Sequence, residues 1–141
     1  MASPKPSKIL VVDDVSIARD TLAGRVANQG HAVTKAEDGA EALEALAAET
    51  FDLVLLDQVM PNMDGFEVLE RMKADTDLRD IPVIMITGAE ETDSVIRCIQ
   101  AGADDYLLKA TEPALLQARI NTCLENKHWR DRQREHVRSE E

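Results

Sequence analysis

Five short apolar runs alternate with amphipathic segments along this chain, and that alternation restricts the possible folds more than any single residue does. The runs lie at residues 9–13, 31–36, 53–57, 83–87 and 105–108, and four segments with helical spacing lie between them at 16–29, 39–49, 65–75 and 91–101. In the second segment Ala42, Leu43, Leu46 and Ala47 share one face, and Glu41, Glu44 and Glu49 lie elsewhere. The runs at 9–13, 53–57 and 83–87 are apolar nearly throughout, as central parallel strands covered on both faces must be. Strand–helix alternation of this kind predicts an α/β fold, a doubly wound five-stranded parallel sheet of the flavodoxin-like (βα)5 type. At 141 residues the chain suits one such domain, with a sizeable core.

Composition narrows the class of function. Hydrophobic residues make up 44% of the chain, which separates it from disordered sequences despite a formal charge of −11. With Phe51, Phe66, Tyr106 and Trp129 as the only aromatic residues, the core must be built from Val, Ile, Leu and Ala. The acidic balance argues against nucleic-acid binding by this domain, because a phosphate backbone calls for a basic surface. Two cysteines, Cys98 and Cys123, define no disulfide framework and read as packing residues in a reducing, cytoplasmic setting. No apolar stretch reaches membrane-spanning length, so no membrane association is expected. Residues 1–7 lack the apolar core of a signal peptide and read as a flexible N-terminal tail.

A fifth helix is expected from Thr111-Glu-Pro113, with the Thr111 hydroxyl as cap and proline in the first turn. Leu115, Leu116, Ala118, Ile120, Cys123 and Leu124 supply its packing face. Beyond Glu125 the apolar residues fade, but no Gly or Pro stops the helix, which could run for about 25 residues, or about 37 Å. Residues 125–141 carry equal numbers of Lys/Arg and Asp/Glu, so the whole net charge lies in residues 1–124. The domain is therefore expected at 8–124, with 125–141 a charged helical extension or linker.

Chemistry-bearing residues stand where the apolar runs end. Asp57 closes the run beginning at Phe51 and is followed by a Pro/Asn/Gly loop; Asp13 and Asp14 close the first run; Thr87 closes the fourth; Lys109 follows the fifth. With strand order 2-1-3-4-5, these residues meet in one crevice at the carboxyl edge of the sheet, where open α/β sheets bind ligands. Three acids on adjacent strand ends repel one another, and a hard divalent cation with oxygen ligands would offset them. Acids, a hydroxyl and an ammonium together form a phosphoryl-transfer set, in which a carboxylate can act as nucleophile. Read singly, each residue has a plainer meaning: Asp13 or Asp14 could be a cap, Thr87 a strand end and Lys109 a solvated lysine. Asp64, before Gly65, reads as a turn residue. His31, His128 and His136 lack metal-ligand company and read as surface histidines.

The motifs Val11-Val-Asp-Asp14, Leu55-Leu-Asp-Gln-Val-Met-Pro-Asn-Met-Asp-Gly65, Ile84-Met-Ile-Thr-Gly88 and Gly102-Ala-Asp-Asp-Tyr-Leu-Leu-Lys109 together closely resemble the receiver domain of two-component response regulators. The resemblance covers about residues 8–124. It implies that Asp57 accepts a phosphoryl group from a histidine kinase or histidine phosphotransfer protein, in a Mg2+-dependent reaction. It implies metal ligation by Asp13, Asp14, Asp57 and the backbone carbonyl of Val59. It also implies phosphoryl binding by Lys109, a switch hydroxyl at Thr87 and an aromatic switch at Tyr106. The expected output face is the fourth helix, fifth strand and fifth helix. The extension resembles receivers joined by coiled-coil linkers to nucleotide cyclase or phosphatase output domains, and pairing into a homodimer is a further expectation.

Two departures from the family pattern stand out. Ala110 follows Lys109 where the family usually has proline after a cis bond, so a trans bond is expected here. Val59 and Ala89 occupy positions resembling those that tune dephosphorylation, and neither side chain can orient water by hydrogen bonding; a slowly hydrolysing phosphoaspartate follows. The reading is thus a signalling module that catalyses only its own phosphorylation and dephosphorylation, not an enzyme. The alternative is a metal-dependent phosphohydrolase with an aspartyl-phosphate intermediate, which commonly needs a second acid where Val59 stands. A flavodoxin-like flavin or nucleotide binder lacks the Gly-rich phosphate loop after the first strand.

Overall fold

The computed structural model describes residues 7–88 and 92–140, with side chains described for 7–88 and 95–132. Five strands, β1 (Lys8–Val12), β2 (Ala32–Ala36), β3 (Leu53–Asp57), β4 (Val83–Thr87) and β5 (Asp105–Leu108), alternate with α1 (Ser16–Asn28), α2 (Gly39–Ala48), α3 (Gly65–Ala74), α4 (Thr92–Gln100) and α5 (Pro113–Glu140). The strands form one parallel sheet in the order β2-β1-β3-β4-β5, as the sequence pattern predicts. Predicted strand and helix ends differ from the observed ones by about one residue, within the fraying range of element termini.

Successive strand residues point to opposite faces, and the two faces support two separate cores. Leu10, Val12, Val54, Leu56, Val83 and Met85 pack with Ala42 and Leu46 of α2, Phe66, Leu69 and Met72 of α3, and Cys98 of α4. Ile9, Val11, Leu53, Leu55, Ile84 and Ile86 pack with Val26 of α1 and Leu116, Ile120, Cys123 and Leu124 of α5. A strand buried on both faces cannot alternate apolar with polar residues, which is why β3 and β4 are buried at every position while the edge strand β2 is not.

Two helix starts repeat one device. Asp38 accepts the Glu41 amide at 2.8 Å and Asp64 accepts the Glu67 amide at 2.9 Å, in the sequences Asp-Gly-Ala-Glu and Asp-Gly-Phe-Glu. Each satisfies an amide that the first helical turn leaves unpaired, and each puts an acid near the positive end of the helix dipole. Asp64 is thus the N-cap of α3. In α5 the capping position falls on Glu112 rather than the expected Thr111: the helix begins at Pro113, and the Leu116 amide donates to the Glu112 carbonyl. The Thr111 amide is turned back to the Leu108 carbonyl in the preceding turn.

α5 runs unbroken through the charged stretch to Glu140, 28 residues in all. Lys127 Nζ lies 2.7 Å from Asp131 on the same helix and 3.8 Å from Asp52, just before β3. That contact places residue 127 at the amino edge of the sheet, opposite the carboxyl edge. Residues 1–6 of the expected tail lie outside the described residues, and His136 lies outside those whose side chains are described.

His31 departs from expectation. It is buried, 6% exposed, rather than on the surface, and its Nδ1 accepts the Ser7 amide at 3.1 Å. The bond ties the chain entering β1 to the turn entering β2. Burial lowers the His31 pKa below its ordinary 6.5, and the Asp52 charge works against that shift without cancelling it. The unfolded chain therefore takes up a proton in a range where the folded one does not. His31 contributes fully above the unfolded value, and stability is lost as pH falls below it. In His31→Gln, which keeps an acceptor for Ser7, the urea midpoint should fall less between about pH 7 and pH 5 than in the wild type. Parallel losses in the two proteins would remove His31 as the source.

Candidate functional site

The sheet register delivers the charged residues to one place. Val12 lies opposite Leu56, Asp57 opposite Ile86 and Thr87 opposite Leu108, so β1, β3, β4 and β5 end nearly level. Asp13 follows β1 directly, Asp57 ends β3, Thr87 ends β4 and Lys109 follows β5. Carboxylate oxygens of Asp13, Asp14 and Asp57 all lie within 4.8 Å of one another. Asp13, Asp57 and Thr87 are buried, whereas Asp14 faces solvent. Lys109 Nζ approaches Asp13 Oδ2 at 3.3 Å and Asp57 Oδ2 at 3.5 Å.

Local backbone bonds hold this arrangement. The Lys109 amide donates to the Thr87 carbonyl at 2.8 Å, which continues the β4–β5 ladder past its last pair. No cis peptide bond occurs among the described residues, so Lys109 reaches the acids through a trans bond to Ala110, as expected. Past Asp57, the Gln58 amide donates to the Ile86 carbonyl and the Gly65 amide returns to the Gln58 carbonyl, both at 2.9 Å. A Cβ at position 65 would overlap the Asp57 carbonyl oxygen and press on Gln58 Cα. Glycine is required there because α3 starts against the backbone that carries the Asp57 carboxylate.

The electrostatics are those of an acid cluster only partly offset by Lys109. Burial first, and then the charge of Asp13, raise the Asp57 pKa from an ordinary 3.8 to about 7, against the opposing pull of Lys109. A hydrogen bond with Asp14 adds to the rise, and the Val59 amide, 3.4 Å from Asp57 Oδ1, works against it. Burial disfavours the Lys109 charge, but Asp57 and Asp13 outweigh it and hold the ammonium above its ordinary value. One cation therefore faces three acids. The donor set is all oxygen, with two carboxylates buried and one open to solvent, and it fits a hard divalent ion such as Mg2+.

Other residues singled out from sequence fall as follows. Val59 is 70% exposed beside the acids, and Tyr106 is half-buried against the core on the α2–α3–α4 face. Ala89 lies outside the described residues. Cys98 and Cys123 are both free and buried, as packing residues should be, and burial raises both thiols, Cys123 to about 11. Sequence reading missed Arg19, whose guanidinium donates to the Asp13 carbonyl at 2.9 Å. It also missed the apolar rim of Val15 and Ile17, which are 49% and 79% exposed at the start of α1. Arg19 carried no signal in the sequence, since an arginine within a helix ordinarily reads as solvated.

This fold and its acid-rich carboxyl edge define a phosphoryl-accepting signalling domain. The model of the response regulator receiver domain matches residues 9–121, and the chain belongs to that family, whose general function is phosphorylation on aspartate. Among relatives, ycf27 of Guillardia theta is 38% identical over 117 residues, which cover 83% of this chain and 45% of that protein. The response regulator MprA of Mycolicibacterium vanbaalenii is 37% identical over 119 residues, covering 84% of this chain and 51% of that protein. The chain thus spans about half the length of these relatives. A CheY-like receiver domain protein from Methanospirillum hungatei superposes with a TM-score of 0.82 at 28% identity, covering 89% of this chain and 99% of that one. No helix among the described residues is long and apolar enough to cross a membrane.

The raised Asp57 pKa has a stability consequence of known sign. The folded state holds the proton more tightly than the unfolded state does, so stability falls as pH rises from about 4 towards about 7. Asp57→Asn removes the buried charge. In chelator at about pH 8 the variant should be more stable than wild type by about 1–3 kcal/mol in urea unfolding. Mg2+ should then stabilise it less than it stabilises wild type. Equal stability in chelator would mean that Lys109 already neutralises the site.

Proposed function

We propose that Asp57 is the phosphoacceptor and that its phosphorylation switches the face formed by α4, β5 and α5. The observation that carries this reading is the convergence of three carboxylates and one ammonium at the end of β3, with the acceptor buried and the lysine between Asp57 and Asp13. A carboxylate oxygen of Asp57 attacks the phosphorus of a phosphohistidine on a histidine kinase or histidine phosphotransfer protein. The P–N bond breaks as the P–O bond forms, and the departing imidazole takes up a proton. Lys109 and Thr87 take hydrogen-bonding and charge contacts with the phosphoryl oxygens that arrive. Asp13, Asp14, Asp57 and the backbone carbonyl of Val59 would hold Mg2+, which offsets the charge of acids and phosphoryl group alike. The apolar rim of Val15, Ile17 and Val59 beside the acids suits a partner that must exclude water while the phosphoryl group passes.

The switch follows from the same chemistry. A dianion on Asp57 draws Thr87 towards it, space opens behind the threonine, and Tyr106 turns inward to fill it. The domain spans 8–124, residues 125–141 form the linker, and the chain works in the cytoplasm. The long α5 carries the change to an output domain such as a nucleotide cyclase or phosphatase, or into a homodimer. The chain catalyses only its own phosphorylation and dephosphorylation. The phosphohydrolase reading loses ground at Val59, an exposed valine where that class commonly places a second acid.

Intact mass after incubation with acetyl phosphate and Mg2+ tests the core of this reading. One added phosphoryl group is expected on wild type, with none on Asp57→Asn and none in chelator. No adduct on a folded wild-type protein would overturn the proposal, and steady turnover of small phosphomonoesters would transfer it to the hydrolase class. The adduct's lifetime is a second test. With valine at 59 offering no hydrogen bond to an attacking water, the phosphoryl group should persist for minutes or longer, and Val59→Asn should shorten its lifetime. Loss within seconds from wild type would mean that water is oriented by another group.

A further inference from the structure

We propose that Arg19 is a positioning residue for the acid turn, holding Asp13 and Asp14 in the orientation that receives a divalent cation. The inference rests on the receiver reading above and extends it to a side chain on α1 that touches none of the three carboxylates.

Asp13 is held at each of its polar groups. Its amide donates to the Ala36 carbonyl at 3.2 Å, and its Oδ1 accepts the Val15 amide at 2.9 Å. Its carbonyl accepts Arg19 Nη1 at 2.9 Å. That carbonyl belongs to the peptide joining Asp13 to Asp14, so the Arg19 bond sets the plane from which the Asp14 side chain departs. Without it, repulsion among the acids favours turning the exposed Asp14 away from Asp57 into water, and the turn must be reordered each time a cation arrives.

The start of α1 supplies little else to hold this turn. Its N-cap residue is Val15, which makes no side-chain capping bond, and its first turn contains no acid. This contrasts with α2 and α3, where Asp38 and Asp64 make capping bonds. An arginine so near the N-terminus of a helix is also on the unfavourable side of the helix dipole. The bond to Asp13 gives that placement a purpose: Arg19 clamps the helix to the strand end in place of a cap. Partners of metal-ligating residues commonly matter to metal binding almost as much as the ligands themselves.

The guanidinium has a second, opposite effect, since its positive charge repels a cation. Two variants separate the effects. Arg19→Met removes both charge and bond, and Arg19→Lys keeps the charge while losing the planar fork. If positioning dominates, calorimetric titration of the metal-stripped full chain with Mg2+ should show affinity about tenfold weaker in Arg19→Met. Arg19→Lys should fall between Arg19→Met and wild type. The Mg2+ concentration that half-saturates phosphorylation by acetyl phosphate should rise by a similar factor, while the rate at saturating Mg2+ stays within about twofold of wild type. A merely structural role would lower that plateau or the unfolding temperature without moving the Mg2+ midpoint.

Unchanged or tighter Mg2+ binding in Arg19→Met overturns the proposal, as does a lowered plateau with an unmoved midpoint. If Arg19→Met does not fold, Arg19→Lys decides alone, with wild-type affinity overturning the idea. A wild-type chain that neither binds Mg2+ nor accepts a phosphoryl group would overturn the receiver reading itself.

Discussion

Repulsion among Asp13, Asp14 and Asp57 is the constraint around which the rest of the molecule is arranged. Their oxygens lie within 4.8 Å of one another, and two of the three carboxylates are buried, where opposing water is scarce and like charges interact strongly. Lys109 offsets part of this by lying between Asp13 and Asp57. A cluster so poorly neutralised is unfavourable to fold and therefore favourable to bind: an added cation, or a group carrying charge of its own with a cation, relieves what the chain cannot relieve by itself.

Such a cluster persists because the scaffold beneath it is rigid. The central strands are buried on both faces by two independent cores, and their alternating side chains serve both at once. Burial on this scale outweighs the local cost of the acids. Stiffness at the strand ends comes from backbone bonds that run past the last ladder pair, at Gln58 and at Lys109. Gly65 lets α3 begin against the Asp57 backbone, and the Asp64 cap starts that helix without further help from the site.

Much of this was legible from sequence for a physical reason. Central parallel strands must be apolar at consecutive positions, so each strand end is marked by the first polar residue, and Asp13, Asp57 and Thr87 were visible as such, whereas Lys109 follows the edge strand β5 and was legible through the Gly102–Lys109 motif. Strand–helix alternation then left few topologies, all of which bring those ends to one edge. His31 was misread because a histidine without metal-ligand company ordinarily reads as solvated; its ring is buried and its Nδ1 accepts the amide of Ser7, which is distant in sequence. Thr111 was misread as a cap because sequence alone does not show that its amide closes the turn after β5, which leaves Glu112 as the residue before the first helical turn. Arg19 was invisible because its partner is a backbone carbonyl, and carbonyls carry no sequence signature.

The sequence by itself determined the architecture, the identity of the charged residues and the edge at which they gather, since hydrophobic period and strand-end chemistry are local properties. It also made a long fifth helix an expectation, because no Gly or Pro in residues 125–141 breaks a helix, and α5 does run to Glu140. Tertiary structure alone decided the distances that make the acids a cluster and the burial that raises Asp57. It alone placed Lys109 between two carboxylates and brought the Arg19 guanidinium to the acid turn. Those features arise from contacts between residues far apart in the chain, and their energies depend on separation and solvent exclusion, which no local pattern encodes.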